Sequence, residues 1–195
     1  MGAILLGSAA GSHAANTPEQ ALLFGHARFE GAGCHGAWGE VIHDRLTGLD
    51  FLFVHFQNLE TTTAAKRYRG NHRIAGTTCE VEIPLDLDAG QRLWIRPIIM
   101  RSKVSLPEGS EAWLNYGAME KTISRKVFAG KTPVKGLILV NEKLPNDLHT
   151  ACGTAGRERS SLEVDASISI DSGSSADASA KTAVVQFAIG LESCR

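Results

Sequence analysis

The sequence predicts an all-β protein built as an antiparallel two-sheet β-sandwich, with a jelly roll or an open barrel as variants of that architecture. Three observations predict this class: short apolar runs that alternate with polar residues, turn residues between those runs, and widely separated cysteines. The chain has 195 residues, of which 20 are glycine and 6 are proline. This length and composition suit many turns and one domain.

The clearest strand signal lies in residues 79–87, where apolar and polar residues alternate from Cys79 to Leu87. Alternation with a period of two is typical of a strand with one buried face. Pro84 falls on the polar side, which suggests a sheet edge or the approach to a turn. Residues 88–90 supply turn residues, so we expect residues 92–100 to return as the second strand of a hairpin.

Two further strands are predicted near the C-terminus. Residues 162–170 alternate between apolar and polar side chains, and residues 183–191 form an apolar run that ends near Cys194. The small polar residues 173–180 separate them, which predicts a second hairpin with a long connection. Residues 51–58 are rich in β-forming residues, and the apolar ones fall at both odd and even positions, which predicts a strand covered on both faces.

Composition excludes some partners. The chain carries 20 basic and 21 acidic residues, a formal net charge of −1, and 43% of its residues are hydrophobic. A nearly neutral chain has no overall field that attracts nucleic acid or an anionic membrane, although a local basic patch is compatible with it. No segment of the sequence has the ~20 apolar residues that a transmembrane helix needs.

The first residues and the cysteines indicate an oxidising compartment. Residues 1–15 combine a short apolar run with small residues and lack a basic start, which suggests the remnant of a signal peptide before a domain at residues 16–195. The four cysteines have no C-x-x-C spacing, which argues against a structural zinc site. An even number of cysteines favours two disulfides in a secreted protein, extracellular or periplasmic, with three pairings open.

Several short motifs recur in a recognisable order. They are Gly31-Ala-Gly-Cys34 followed by Gly36, then Thr78-Cys79-Glu-Val-Glu-Ile-Pro-Leu with Gly90 beyond it, then Ala151-Cys152-Gly153, and a last cysteine one residue from the end. In this order the chain resembles a secreted family catalogued as domain of unknown function 4360, over roughly residues 24–195. The resemblance implies export, a β-rich fold and the pairs Cys34–Cys79 and Cys152–Cys194. It implies no activity.

The sequence departs from this family at two places. His35 follows the first cysteine, where relatives are expected to have proline, and residues 131–148 fit the pattern poorly.

Motifs of catalysis and metal binding are weak. The histidines of the first third of the chain lack H-x-H and H-E-x-x-H spacing, so a metal site is disfavoured; they are His26, His35, His43 and His55. The chain has neither G-x-S-x-G nor S-x-x-K, although a triad of distant residues is recognised by geometry rather than by order. We therefore predict no catalytic residues, no cofactor and no metal.

Two carboxylate pairs lie on the polar sides of predicted strands. Glu80 and Glu82 form one pair, and Glu163 and Asp165 form the other. Paired carboxylates can hydrolyse glycosidic bonds, but a solvated strand face is the commoner explanation. Residues 86–90 lack the further acidic ligands of a calcium loop, and we interpret them as a turn.

The best candidates for ligand binding are basic and aromatic. The densest basic stretch, which suits a phosphate or an acidic glycan, contains Lys66, Arg67, Tyr68, Arg69 and Arg73. Trp38 and Trp113 lie among glycines or polar residues, so we expect them to be exposed and able to stack on a carbohydrate. Trp94 lies in an apolar run, and we expect it in the core.

These observations favour a secreted, disulfide-stabilised module that binds a glycan, a surface or a protein partner without catalysis. The alternatives are a hydrolase of cell-wall or extracellular polymer with a dispersed site, and an inhibitor of a secreted enzyme.

Overall fold

The strands form two antiparallel sheets whose apolar faces pack against each other. The computed structural model describes residues 17–64, 68–69, 72–141, 144–154, 160–173 and 176–194, with the backbone alone at residues 68, 69 and 72. The strands are β1 (Arg28–Glu30), β2 (Trp38–Asp44), β3 (Leu49–His55), β4 (Glu60–Thr62), β5 (Tyr68–Arg69), β6 (His72–Pro84), β7 (Gln91–Leu106), β8 (Ser110–Ala118), β9 (Lys121–Ala129), β10 (Val134–Val140), β11 (Leu148–His149), β12 (Ser161–Ser172) and β13 (Ser179–Ser193). A single helical turn, α1 (Pro18–Ala21), precedes them.

The two sheets have separate strand orders. The first sheet runs β1–β6–β12–β8–β9, and β5 also pairs with β6. The second sheet runs β10–β7–β13–β3–β2, with β11 paired to β7 and β4 paired to β13. The predicted antiparallel β-sandwich is therefore confirmed.

The inner faces of both sheets form one hydrophobic core. Ile83 and Tyr116 of the first sheet and Leu52 and Phe187 of the second are all fully buried, and the rings of Tyr116 and Phe187 lie 6.1 Å apart across the core. Burying each large apolar side chain contributes about 1.5–3 kcal/mol, which makes this shared core the main stabilising feature of the fold.

Both predicted hairpins are wrong. The strand with the clean alternation, β6, belongs to the first sheet, whereas the next strand, β7, belongs to the second. In the same way β12 pairs with β6 and β8, whereas β13 pairs with β7 and β3. Each connection therefore crosses from one sheet to the other. A strand with one apolar face can bury that face whether the next strand lies beside it in the same sheet or opposite it in the other sheet, so alternation does not distinguish the two arrangements.

The strand predicted at residues 51–58 is confirmed for residues 51–55, which belong to β3, whereas residues 56–58 lie beyond its end; Pro84 is the last residue of β6. One face of β3 is fully buried through Leu52 and Val54, and the other face, which carries Phe51 and Phe53, is half-buried. The second face is thus covered less than predicted, because it forms part of the outer surface of the second sheet.

Both disulfides are present with the pairing that the family resemblance implies. Cys34 bonds to Cys79 across 45 residues, and Cys152 bonds to Cys194 across 42 residues. Within the described residues, no helix is long and apolar enough to pass through a bilayer. The proposed signal-peptide remnant at residues 1–15 lies outside those residues.

Candidate functional site

The outer surface of β2 and β3 carries an aromatic patch. Since Leu52 and Val54 point into the core, the intervening residues of β3 point outward, and the outward residues of β2 lie opposite them in register. We call this patch the Trp38 face; it consists of Trp38, Glu40, Ile42, Phe51, Phe53 and His55.

The Trp38 indole is held in a defined plane. Its ring lies parallel to the His55 imidazole, with 4.0 Å between centroids and 9° between planes. The Phe53 ring lies 6.2 Å from the His55 ring and is inclined to it by 22°. The Glu40 carboxylate Oε1 lies 3.0 Å from His55 Nε2, so a hydrogen bond fixes the imidazole against the indole.

The indole nevertheless remains accessible. Trp38 is 44% exposed, although His55 stacks on its ring. When neighbouring side chains already hold an aromatic ring in one orientation, the ring loses little conformational entropy as a ligand stacks on it. The Trp38 face is therefore a preorganised stacking surface with a carboxylate and an imidazole beside the ring.

Trp94 does not lie in the core, so the prediction that it is buried there is wrong. On β7, Leu93 and Ile95 take the core positions, which turns Trp94 to the outer face of the second sheet, where it is half-buried. Its indole covers Gly190, where any side chain would overlap it. The Arg96 guanidinium lies 5.9 Å from the ring centroid.

An ion pair anchors Arg96 beside Trp94. Arg96 Nε and Nη2 donate to the two carboxylate oxygens of Asp147 at 2.5 Å and 2.8 Å. The hydrogen bonds from Arg96 hold the pKa of the Asp147 carboxyl below its ordinary value. This part of the outer surface is thus filled by side chains that contact each other.

Trp113 lies on the opposite outer surface of the sandwich. It belongs to β8 in the first sheet, and the Lys126 ammonium lies 4.9 Å from its ring centroid. Lys126 also pairs with Glu111 at 2.5 Å, so the cation stays over the ring. Trp113 is half-buried rather than fully exposed, and the two candidate tryptophans do not share one surface.

The described residues of the predicted basic stretch belong to the first sheet, whereas the Trp38 face belongs to the second. Lys66 and Arg67 fall outside the described residues, and the backbone of Tyr68 and Arg69 forms β5 at the end of the first sheet. Arg73 donates from Nη1 to Asp177 at 3.0 Å. Ligand binding by these residues stays a prediction.

The two carboxylate pairs meet in one cleft. In the register of β6 and β12, Glu80 lies opposite Asp165 and Glu82 opposite Glu163. These carboxylates line a cleft of about 360 Å³. Burial, and then the charge of Glu80, raise the pKa of the Asp165 carboxyl above its ordinary value. Sequence reasoning treated the pairs separately, because a single sequence does not show which strands are neighbours.

Metal-ligand geometry is not found in the described part of the chain, where no three His, Cys, Asp or Glu side chains converge on a point that could hold an ion. His55 and His43 each lie beside a carboxylate, Glu40 and Asp50 respectively.

The role of His55 in holding Trp38 was missed from the sequence. The sequence signal that was available is that His55 alternates with core residues in the same way as Phe51 and Phe53, so all three side chains point to the outer face of β3.

No family model and no curated protein matches this chain. Among solved structures, the carbohydrate-binding module TmCBM61 in complex with β-1,4-galactotriose is similar to it, with 13% sequence identity over 88% of this chain and 90% of that chain, and a TM-score of 0.23. At that TM-score the similarity supports no argument about fold or function.

Proposed function

We propose that this protein is an extracellular glycan-binding module whose ligand stacks on the Trp38 face. One observation carries the proposal: a half-exposed indole is fixed parallel to the His55 ring, and Glu40 fixes that ring in turn. Large rigid aromatic rings dominate binding energetics at interfaces, because they bury much apolar surface at low entropic cost. A pyranose ring offers a flat face of C–H groups to such an indole and hydroxyl groups to the polar side chains around it.

Export belongs to the same proposal. All four cysteines are paired, and disulfides persist in oxidising compartments such as the extracellular space and the periplasm. We also propose that the chain belongs to the secreted family that it resembles in sequence, domain of unknown function 4360.

Trp113 supplies a matched control for the stacking role of Trp38. Both are partly exposed tryptophans on outer strand faces, but the Lys126 ammonium and its partner Glu111 lie over the ring of Trp113. A ligand that stacks there has to displace a cation–π contact and an ion pair. We therefore place the ligand on Trp38 and not on Trp113.

The test is a glycan array with the full oxidised chain, followed by calorimetric titration of each glycan bound. Trp38→Ala should weaken binding about thirtyfold or more, since truncating a central aromatic side chain commonly costs about 2 kcal/mol or more of binding free energy. Trp113→Ala should bind like the unmodified protein. Equal binding by Trp38→Ala and the unmodified protein, or an array without any bound glycan, would contradict the proposal.

A second candidate is hydrolysis of an extracellular polymer in the carboxylate cleft. The raised pKa of Asp165 beside Glu80 favours it, because glycoside hydrolysis uses a protonated carboxyl next to a second carboxylate. Release of reducing ends by the unmodified chain, lost in Asp165→Asn and kept in Trp38→Ala, would support this candidate over the binding module. Inhibition of a secreted enzyme stays an untested prediction.

A further inference from the structure

Four cations lie on the same outer surface as the Trp38 face. In the register of the second sheet, His55 lies opposite Val184, and Val184 lies opposite Arg101 of β7. Lys103 follows on the same face of β7, and Lys181 of β13 lies directly opposite Lys103. Lys135 of the edge strand β10 lies opposite Ser105, beside them. We call Arg101, Lys103, Lys135 and Lys181 the basic strip; all four side chains are exposed.

Three of these cations line a groove. The groove has a volume of about 580 Å³ and contains Lys103, Lys135 and Lys181 together with polar side chains such as Asn58 and Ser179. Its one carboxylate is Glu60, which pairs with Lys181 at 3.1 Å. The groove therefore has more positive than negative charge, and its volume is in the range of small-ligand sites.

The charge arrangement is unfavourable for the isolated fold. Like charges directly opposite each other on neighbouring strands destabilise a sheet, and Lys103 and Lys181 are such a pair. In the parts of the chain that the structure describes, no carboxylate lies within ion-pair distance of Lys103 or Lys135. Glu60 offsets the charge of Lys181, whereas Lys103 and Lys135 lack such a partner among the described residues, and this uncompensated charge points to a contact outside the fold.

We infer that the ligand of the Trp38 face is an anionic glycan, whose carboxylate or sulfate groups bind the basic strip. This inference rests on the proposed glycan binding and specifies its substrate class. Lys181 and Lys103 lie two and three strands away from Trp38 and about two residues further along the strands. Neighbouring strands lie about 4.8 Å apart, which puts the two lysines roughly 12 to 16 Å from Trp38. A ligand that spans both is therefore an oligosaccharide, with one ring on Trp38 and acid groups on the lysines.

The opposite surface of the sandwich supports the same assignment. There the outer face of the first sheet carries the carboxylate cleft with Glu80, Glu82, Glu163 and Asp165. A polyanion is repelled from that face and attracted to the basic strip. The chain is nearly neutral overall, with a net charge of −1, so the selectivity comes from how the fold separates its charges.

An anionic membrane is the competing partner, because two exposed leucines lie beside the basic strip. Leu137 and Leu139 of β10 are 65% and 50% exposed and lie opposite Lys103 and Arg101. The glycan is favoured because the fixed indole of Trp38 offers a flat surface to a sugar ring, and because the lysines line a groove rather than a convex surface.

The experiment uses polymer pairs with the same backbone and different charge: polygalacturonate with its methyl ester, and dextran sulfate with dextran. The full oxidised chain should bind one acidic member at least about tenfold more tightly than its neutral counterpart, and added salt should weaken that binding. Lys103→Gln with Lys181→Gln should reduce binding of the acidic member about tenfold. Arg45→Gln with Lys121→Gln, an equal charge change at exposed sites away from the strip, should not.

Each other outcome identifies what fails. Equal affinity for acidic and neutral members, with Trp38→Ala still weakening both, overturns the anionic class and leaves glycan binding in place. Loss in the lysine variant with full binding by Trp38→Ala overturns the stacking surface and not the preference for acid groups. Binding to phosphatidylserine vesicles without binding to any of the polymers overturns the inference in favour of a membrane, and a chain that binds none of these probes overturns both proposals.

Discussion

Three side chains at the start of β2 and the end of β3 act as one unit. Glu40 hydrogen-bonds His55, and His55 stacks on Trp38. Because the indole depends on the imidazole for its orientation, His55 acts as a supporting residue, while Trp38 presents the largest ring of the binding surface. Such support is what keeps an exposed aromatic side chain ready for a ligand.

Parity along a strand decides which tryptophans are exposed. Trp94 was predicted to be buried because its neighbours are apolar, yet those neighbours, Leu93 and Ile95, occupy the core themselves. Trp38 was predicted to be exposed from its glycine and polar neighbours, and this is confirmed. Hydrophobicity in a window is a poor guide to a single side chain of a strand, since adjacent residues point in opposite directions.

At the residue scale we predict that Asp165→Asn stabilises the protein at neutral pH. Burial raises the pKa of the Asp165 carboxyl in the folded state above its unfolded value, so the ionised form reduces the free energy of unfolding. Above the folded pKa this loss is complete, and it disappears once the pH falls below the ordinary value of about 3.9. Thermal unfolding should show a midpoint about 2 °C higher for the variant at pH 7.

The control is Glu108→Gln, at an exposed turn position, which should leave the midpoint unchanged at both pH values. A gain in Asp165→Asn that is as large at pH 3 as at pH 7 would show that charge is not its cause.

At the scale of elements, each disulfide fastens a non-strand segment to a residue within a strand or directly after one. Cys34 ends a 3-10 turn, Ala32–Cys34, and bonds to the middle of β6. Cys152 follows β11 and bonds to Cys194 directly after β13. The first bridge lies in the core, since Cys79 is 0% and Cys34 6% exposed, whereas Cys152 of the second is exposed to solvent.

We therefore predict that mild reduction opens Cys152–Cys194 before Cys34–Cys79. A reductant must reach a sulfur atom, and the two loops are nearly equal in length at 42 and 45 residues, so access rather than loop entropy distinguishes them. Brief treatment with a phosphine, alkylation and peptide mapping should label Cys152 and Cys194 first. Simultaneous labelling of all four cysteines would contradict this order.

The elements also show where sequence reasoning ends. Alternation identified β6 and β12 as strands and an apolar run identified β13, but the partner predicted for each strand was wrong. Residues 88–90 do form a turn, in which Gln91 donates to the Asp88 carbonyl at 3.0 Å. That turn joins the two sheets rather than two strands of one sheet, because side-chain period records which face is buried and not which neighbour supplies the hydrogen bonds.

At the scale of the whole molecule, both sheets contribute to one core and carry opposite outer charge. The outer face of the first sheet has the carboxylate cleft, and that of the second has the basic strip. A buried pair of hydroxyls, Ser102 and Thr182 at 2.7 Å, joins β7 and β13 at the inner side of the second sheet. β6 and β12, which carry the carboxylate cleft, are each followed in sequence by a strand of the other sheet, β7 and β13, which carry most of the basic strip.

We predict that the oxidised chain unfolds in one cooperative transition. Removing either sheet exposes the apolar face of the other, so neither sheet is expected to be stable alone. Differential scanning calorimetry should give one peak whose calorimetric and van't Hoff enthalpies agree. Two resolved peaks would contradict the prediction of a single domain at residues 16–195.

By itself the sequence determined the all-β class, the positions of β3, β6, β7, β12 and β13 and the residues able to form disulfides, because these depend on local alternation, turn residues and composition; it did not reveal β2, β8, β9 or β10. Only the tertiary structure decided which strands are neighbours, which face each tryptophan occupies, and that Glu40, His55 and Trp38 meet. The physical reason is that burial constrains each strand separately, whereas the candidate site arises from register between strands, which a single strand does not encode.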